Sequence, residues 1–111
     1  MLEVNSSIKL KPVTKNDALF LYDLLKARNP IANISHKKMP SYNEHVNFIL
    51  SNPYVVWYII EYEGKNIGSI YLSKQDEIGI SLFDNLLYDK IGKNIIKFLM
   101  KNNPRKRYLA K

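Results

Sequence analysis

The 111-residue sequence contains no cysteine, which excludes disulfide bonds and thiolate metal sites and leaves the redox compartment unread. Its two histidines, His36 and His45, are isolated and too few for a dedicated zinc site, so no metal is expected. No apolar run approaches the roughly 20 residues of a membrane span. The opening stretch "MLEVNSSIKLKP" also lacks the long apolar segment of a signal peptide. A cytoplasmic protein with no membrane partner is the resulting expectation. Internal repeats and low-complexity linkers are missing as well, and the length matches one domain spanning residues 1–111.

What is present is ordinary for a folded chain. Hydrophobic residues make up 46% and charged residues 24%, with eight tyrosines, unlike the polar bias of disordered sequences. The formal charge is +7. Such a surplus either attracts an anionic partner (nucleic acid, a nucleotide cofactor or a phosphorylated metabolite) or is simply a solvated basic surface. The lysines are scattered, with one local run in "KNNPRKRYLAK" (Lys101 to Lys111), so a continuous nucleic-acid track is not evident.

The periodicities outline the elements. "SIKLKPV" (Ser7 to Val13) alternates apolar and polar residues and stops at Pro12, a half-buried strand. Thr14 is the expected N-cap of a first helix, with Asp17 as its capping partner and Leu19, Phe20, Leu24 and Leu25 at helical spacing, ending before Pro30. "IANISHKKM" reads as a loop. Ser41 and Glu44 form a capping box for a second helix whose apolar face is Val46, Ile49 and Leu50, closed by Pro53. Residues 54–83 are rich in β-branched and aromatic residues and are broken at "EGKN" and "SKQD", which predicts three successive antiparallel strands. The loop "FDNLLYDKIGKN" should then lead into a helix from Gly92 to about Lys101 that buries Ile95, Ile96 and Leu99. After "NNP", "KRYLAK" reads as a last extended segment beside the meander's final strand. The order is β-α-α-β-β-β-α-β, an α+β fold with a mixed central sheet. It sets the loop at the carboxyl end of a strand, facing a helix N-terminus, a setting that suits phosphate.

Over essentially the whole chain these residues resemble the GCN5-related N-acetyltransferase family. "IKLKPVTKNDALFLYDLLKARN" resembles its first strand and helix, "YNEHVNFI" its second helix, and "WYIIEYEGKNIGSIYLSKQDEIGISLF" its strands two to four. The family's cofactor signature, Gln/Arg-x-x-Gly-x-Gly/Ala, falls on residues 87–92, where Gly92 matches cleanly and Lys90 stands in place of a glycine. Lys90 raises the cost of a left-handed backbone there and supplies a charge that can meet phosphate.

The resemblance implies acetyl-CoA as co-substrate. Backbone groups of Ile80, Ser81 and Leu82 would pair with the pantetheine arm, Phe83 would line the entrance, and the amides around Lys90, Ile91, Gly92, Lys93 and Asn94 would face the pyrophosphate. Ile80 and Leu82 also read as core positions of a strand, and the two roles are compatible. Direct attack of a primary amine on the thioester needs a proton acceptor, and Glu77, at the start of "EIGISLF", is the implied catalytic base; a solvated strand-end glutamate is the alternative. A finer resemblance, carried by "LLKARNPIANISHKKMPSYNEHVNFI", is to bacterial enzymes acetylating amino sugars on nucleotide carriers, making Arg28, Asn29 and His45 substrate-binding candidates. Their structural alternatives are a helix C-terminal charge, a cap and an ordinary surface or packed histidine.

Family members continue past this last strand into a helix and two further strands, with a tyrosine that often protonates the thiolate. A helix burying several large side chains at roughly 1.5–3 kcal/mol each rivals a whole net stability of about 5–15 kcal/mol. Three functional readings follow: an acetyl-CoA-dependent N-acetyltransferase, a shortened fragment that binds CoA or a partner without turnover, and a small basic nucleic-acid-binding module. The uncovered sheet edge or helix face is expected to be covered by self-association into a homo-oligomer. Sedimentation across a concentration series checks this, and a monomer persisting at high concentration would refute it.

Overall fold

The computed structural model describes residues 1–28 and 39–110, with Arg28 and Ala110 described by their backbone alone. A short strand not anticipated from the sequence, β1 (Leu2–Glu3), precedes β2 (Ile8–Pro12). It arises because the Asn5 carboxamide oxygen accepts from the amides of Ser7 (2.8 Å) and Ile8 (2.9 Å), folding the chain back on itself. Pro12 is the last residue of the ladder, opposite Tyr58. The Asp17 carboxylate then accepts from the Thr14 amide at 2.8 Å, starting a 3₁₀ turn (Lys15–Asp17) that runs into α1 (Ala18–Arg28).

The capping box of α2 (Tyr42–Leu50) forms as expected, with Glu44 N donating to Ser41 Oγ (3.1 Å) and Ser41 N to Glu44 Oε1 (3.0 Å). Its buried face differs from the expected one. His45 and Ile49, four residues apart, point inward, whereas Leu50 is 53% exposed because it sits a further 100° or so around the helix.

β3 (Tyr54–Tyr62) and β4 (Lys65–Ser73) form the expected hairpin through Glu63 and Gly64, both at positive φ (49° and 80°), a turn that matches the twist of the flanking strands. The Ser73 hydroxyl accepts from the amides of Gln75 (3.1 Å) and Glu77 (3.0 Å), turning the chain into β5 (Glu77–Leu82).

After β5 the structure departs from the expected open loop. The Asp84 carboxylate accepts from the Leu86 amide (2.9 Å), and the chain is helical from there: α3 (Asn85–Leu87), a π-helical turn (Tyr88–Gly92) and α4 (Lys93–Asn102). With no proline in "NLLYDKIG" and a capping aspartate ahead of it, the segment has no reason to stay extended. Beyond α4, Arg105 Nε reaches Asp76 Oδ1 at 2.9 Å, and the Leu109 amide donates to the Asp76 carbonyl. The Tyr108 hydroxyl accepts from the Arg105 amide and lies 2.6 Å from the Asn103 carbonyl. These contacts set β6 (Leu109–Ala110) parallel to β5.

The six strands follow in sequence order, antiparallel throughout except for the parallel β5–β6 pair. One sheet face, carrying Ile8, Leu10, Ile60, Ile70 and Leu72, packs against Ile91, Ile95 and Leu99. The other, carrying Ile59, packs against Ala18 and Leu21 of α1 and Ile49 of α2. Ile59 and Ile60 are consecutive and face opposite layers, as the strand period of two requires. Among the described residues no helix is long and apolar enough to cross a membrane.

Leu99 is 1% exposed inside the α4 layer, so Leu99→Ala should lower unfolding free energy by about 2–5 kcal/mol. Leu50→Ala, on the solvent side of α2, should change it by no more than about 0.5 kcal/mol. Urea denaturation of the two variants measures both, and equal losses would contradict the packing described.

Candidate active site

The outer edge of β5 is half covered. Its first residues pair with β6, Glu77 with Leu109 and Ile78 with Ala110. The rest, Gly79 to Leu82, pairs only with β4 among the described residues. The direction of the backbone groups follows from two contacts. The Phe83 amide donates to the Ile67 carbonyl across β4, and the Ser81 carbonyl is aimed at Gly68 on the same side. Successive residues of a strand point their N–H and C=O to opposite sides, so Ile80 and Leu82 present theirs outward, whereas those of Ser81 belong to the ladder. A cleft of about 290 Å³ borders that edge, lined by Ala27 of α1, Ile80, Ser81, Leu82, Phe83, Asn85 and Tyr88. Phe83 is exposed and meets Phe20 edge-to-face at 5.4 Å.

The stretch expected as an open cradle is closed in this structure. Ile91 belongs to the core, and Gly92 is buried in right-handed helical backbone, where an added Cβ would come within 3.0 Å of the Tyr88 ring. The glycine therefore admits a tyrosine ring at close range rather than a left-handed turn. Lys90 Nζ lies 5.9 Å from the centre of the Tyr62 ring. Lys93 and Asn94 are exposed in the first turn of α4, and the Asp84 carboxylate caps the first helical turn after β5.

A second cavity, of about 390 Å³, lies between α1, α2 and the sheet. Its walls are largely apolar and aromatic: Leu21, Leu24, Leu25, Phe48, Trp57 and Tyr71. Tyr54 also lines it, stacked on Tyr71 at 3.9 Å and edge-on to Trp57 at 4.9 Å. Tyr71 can lie across β5 only because its cross-strand neighbour is Gly79, where a Cβ would overlap the ring. Ser81 lines both this cavity and the edge cleft, so the two adjoin at one residue.

His45 is 6% exposed in the lining of the second cavity, its ring 5.5 Å from that of Tyr22. Its Nε2 is enclosed without a hydrogen-bond partner among the described residues, a state that ordinarily costs about 1–3 kcal/mol. Desolvation pushes its pKa below the ordinary 6.5, favouring the neutral ring and leaving a lone pair to accept a proton or a hydrogen bond. Glu44, at the same cavity, is held below the usual carboxylate range by the hydrogen bonds from Ser41.

Of the other candidates, Glu77 is partly exposed at the start of β5 and is not in the cavity lining. It is four residues from Ser81, roughly 13 Å along the strand. The side chain of Arg28 and the whole of Asn29 lie outside the described residues. Ser69, Tyr71, Tyr54 and Trp57 were not singled out from sequence, since each reads as an ordinary strand residue. The one available signal was the small-residue pattern of Gly79 and Ser81 in β5, which leaves room above the sheet.

No protein-family model matches this sequence, and a search of curated proteins finds no match. Solved structures do. The ribosomal L7/L12 α-N-protein acetyltransferase RimL in complex with coenzyme A superposes with a TM-score of 0.73 at 14% identity, covering 97% of this chain and 70% of that one. A domain from Methanocaldococcus jannaschii gives 0.71 at 23% identity, covering 96% and 77%. The microcin C7 self-immunity acetyltransferase MccE in complex with acetyl-CoA and AMP gives 0.64 at 22% identity, covering 96% and 67%. The chain has the mixed α+β fold of GCN5-related N-acetyltransferases.

The His45 pKa shift fixes a sign. In the unfolded chain His45 takes up a proton as pH falls through 6.5, whereas in the folded chain it does so only at lower pH. Its contribution to stability is therefore full above 6.5 and is lost as pH falls below that value. Melting temperature should decline between about pH 7.5 and pH 5.5, above the range in which Glu44 titrates, and His45→Gln should flatten the slope. Equal slopes in the two proteins would rule out this role for His45.

Proposed function

We propose that this protein is an acetyl-CoA-dependent N-acetyltransferase acting on a primary amine. The observation that carries the reading is the junction at Ser81, where a cleft along a strand edge left unpaired among the described residues adjoins a partly open apolar cavity. The pantetheine arm of acetyl-CoA is an amide-bearing chain, and the outward N–H and C=O groups of Ile80 and Leu82 offer it strand-like pairing. Phe83 borders the entrance. The solved structures with similar folds that hold coenzyme A or acetyl-CoA support the same donor.

In this reading the thioester points back along β5 toward Gly79, and the amine enters from the second cavity. Nitrogen attacks the acetyl carbonyl carbon as the free base. The new C–N bond forms, the C–S bond breaks, and its electron pair leaves on sulfur, which takes the proton that nitrogen gives up. The ammonium must first lose a proton. Glu77 accepts it through water from the start of β5, and neutral His45 offers a second acceptor at the cavity wall.

The pyrophosphate falls to side chains more than to open amides. Lys93 and Asn94 lie in the first turn of α4, and Lys90 lies one turn before it. Since Ile91 and Gly92 are covered, their amides contribute only if Tyr88 swings away. The sequence pattern around Arg28, Asn29 and His45 resembles that of enzymes acting on amino-sugar nucleotides, but of the three only His45 has a described side chain at the cavity, so the class of amine rests on the cavity walls.

Calorimetric titration with acetyl-CoA, with ATP as control, tests the proposal, and a chain giving no heat with acetyl-CoA would sink it. Leu82→Pro removes an outward amide that the β4 ladder does not use. It should weaken acetyl-CoA about two- to tenfold while circular dichroism stays unchanged. An unaltered affinity would detach the donor from this edge.

A further inference from the structure

The composition of the second cavity bears on what the acceptor is. Its walls offer leucines from α1 on one side and the faces or edges of Phe48, Trp57 and Tyr71 on the other, with few polar groups between them. The charged residue among its described lining residues is Glu44, whose carboxylate is held ionised by its Ser41 contacts. Glu44 is solvent-exposed, so its charge is screened by water, and it biases the approach modestly toward an ammonium and against a phosphate. The aromatic faces act in the same direction, since their negative π-surfaces attract cations and shed water readily against apolar groups. A phosphate in this recess would exchange its hydration for leucine and aromatic carbon.

The unsatisfied nitrogen of His45 adds a specific demand. With the ring proton on Nδ1, Nε2 is an acceptor, and an incoming N–H group would give it the partner it lacks among the described residues.

Resting on the acyl-transfer reading above, we infer that the acceptor is a phosphate-free primary amine on an apolar, preferably aromatic, body. Its body packs against Trp57, Tyr71 and Phe48, and its N–H donates to His45.

Trp57 is the single tryptophan of the chain, so fluorescence excited at the red edge of the absorption band, where the eight tyrosines contribute little, reports on this lining residue, which also borders a neighbouring pocket at Pro12, Val13 and Ile49. The test titrates the full chain with 2-phenylethylamine and, separately, with a uridine-diphosphate amino sugar, alongside calorimetry with acetyl-CoA. A saturable change with 2-phenylethylamine at an affinity about tenfold or more above that for the nucleotide sugar is expected. In His45→Leu the amine should bind about three- to tenfold more weakly, with the acetyl-CoA heat unchanged.

Tighter binding of the nucleotide sugar would overturn the inference. So would an absent fluorescence response to the amine in a chain that still binds acetyl-CoA, and that outcome leaves the acyl-transfer reading standing. Loss of the acetyl-CoA heat with the amine response intact instead refutes acyl transfer and supports the ligand preference of the cavity. The comparison between the two ligands uses the unmodified protein, so it holds even if His45→Leu fails to fold.

Discussion

The alternation of side chains along β3, β4 and β5 is the constraint on which everything else in this molecule depends. Because neighbouring residues point to opposite faces, the sheet has two surfaces that must both be covered. On one face the demand is met over most of the sheet: Ile60, Ile70 and Leu72 meet Ile95 and Leu99 of α4 in a continuous core, with a smaller cleft left beside Ile78 and Ile80. On the other it is met in part. Ile59 is sealed by α1 and α2, but beside it the strands carry Trp57, Ser69, Tyr71, Gly79 and Ser81, a mix of rings and small groups that does not fill the space. The cavity is the remainder of that mismatch, and it lies on the face opposite the tight core.

A second consequence concerns the strand edge. β5 has one side committed to β4, and among the described residues β6 covers only its first two residues. That short pairing is held from outside the sheet by the Arg105–Asp76 contact and the Tyr108 hydroxyl, which fix how the chain leaves α4. An arginine of the basic run thus does architectural work here, and its charge is answered within the chain. Backbone groups of Ile80 and Leu82 are left facing outward one residue either side of Ser81, which opens on the cavity. Edge and cavity meet because the strand period places backbone and side-chain directions at right angles at the same position.

Much of this was legible beforehand. The capping box of Ser41 and Glu44, the partnership of Thr14 with Asp17, the turn at Glu63 and Gly64 and the succession of main strands and helices from β2 onward were readable, since each is written in local patterns of residues; β1 was not. The helical closure of residues 85–92 was not. The same letters, "YDKIG", suit a phosphate loop or a π turn. What decides between them is whether Ile91 finds a core to enter and whether the Tyr88 ring can rest on Gly92, both matters of packing at a distance in sequence. Leu50, expected on the buried face of α2, is exposed while His45 is buried, for a related reason: helical spacing gives a stripe, and the neighbouring sheet selects which edge of it is buried.

Taken alone, the sequence determined the local directions of the chain: where helices begin, where strands turn, which residues share a face, and the absence of cysteine chemistry. Tertiary structure decided which candidates come together. It brought His45 to a wall with Tyr71 and Trp57, residues 26 and 12 positions away along the chain. It also turned Ile80 and Leu82 outward and covered Gly92. Capping and turn contacts are made within a few residues and so are written in short stretches. A cavity is the space left when distant elements pack imperfectly, and no single stretch carries the information for it.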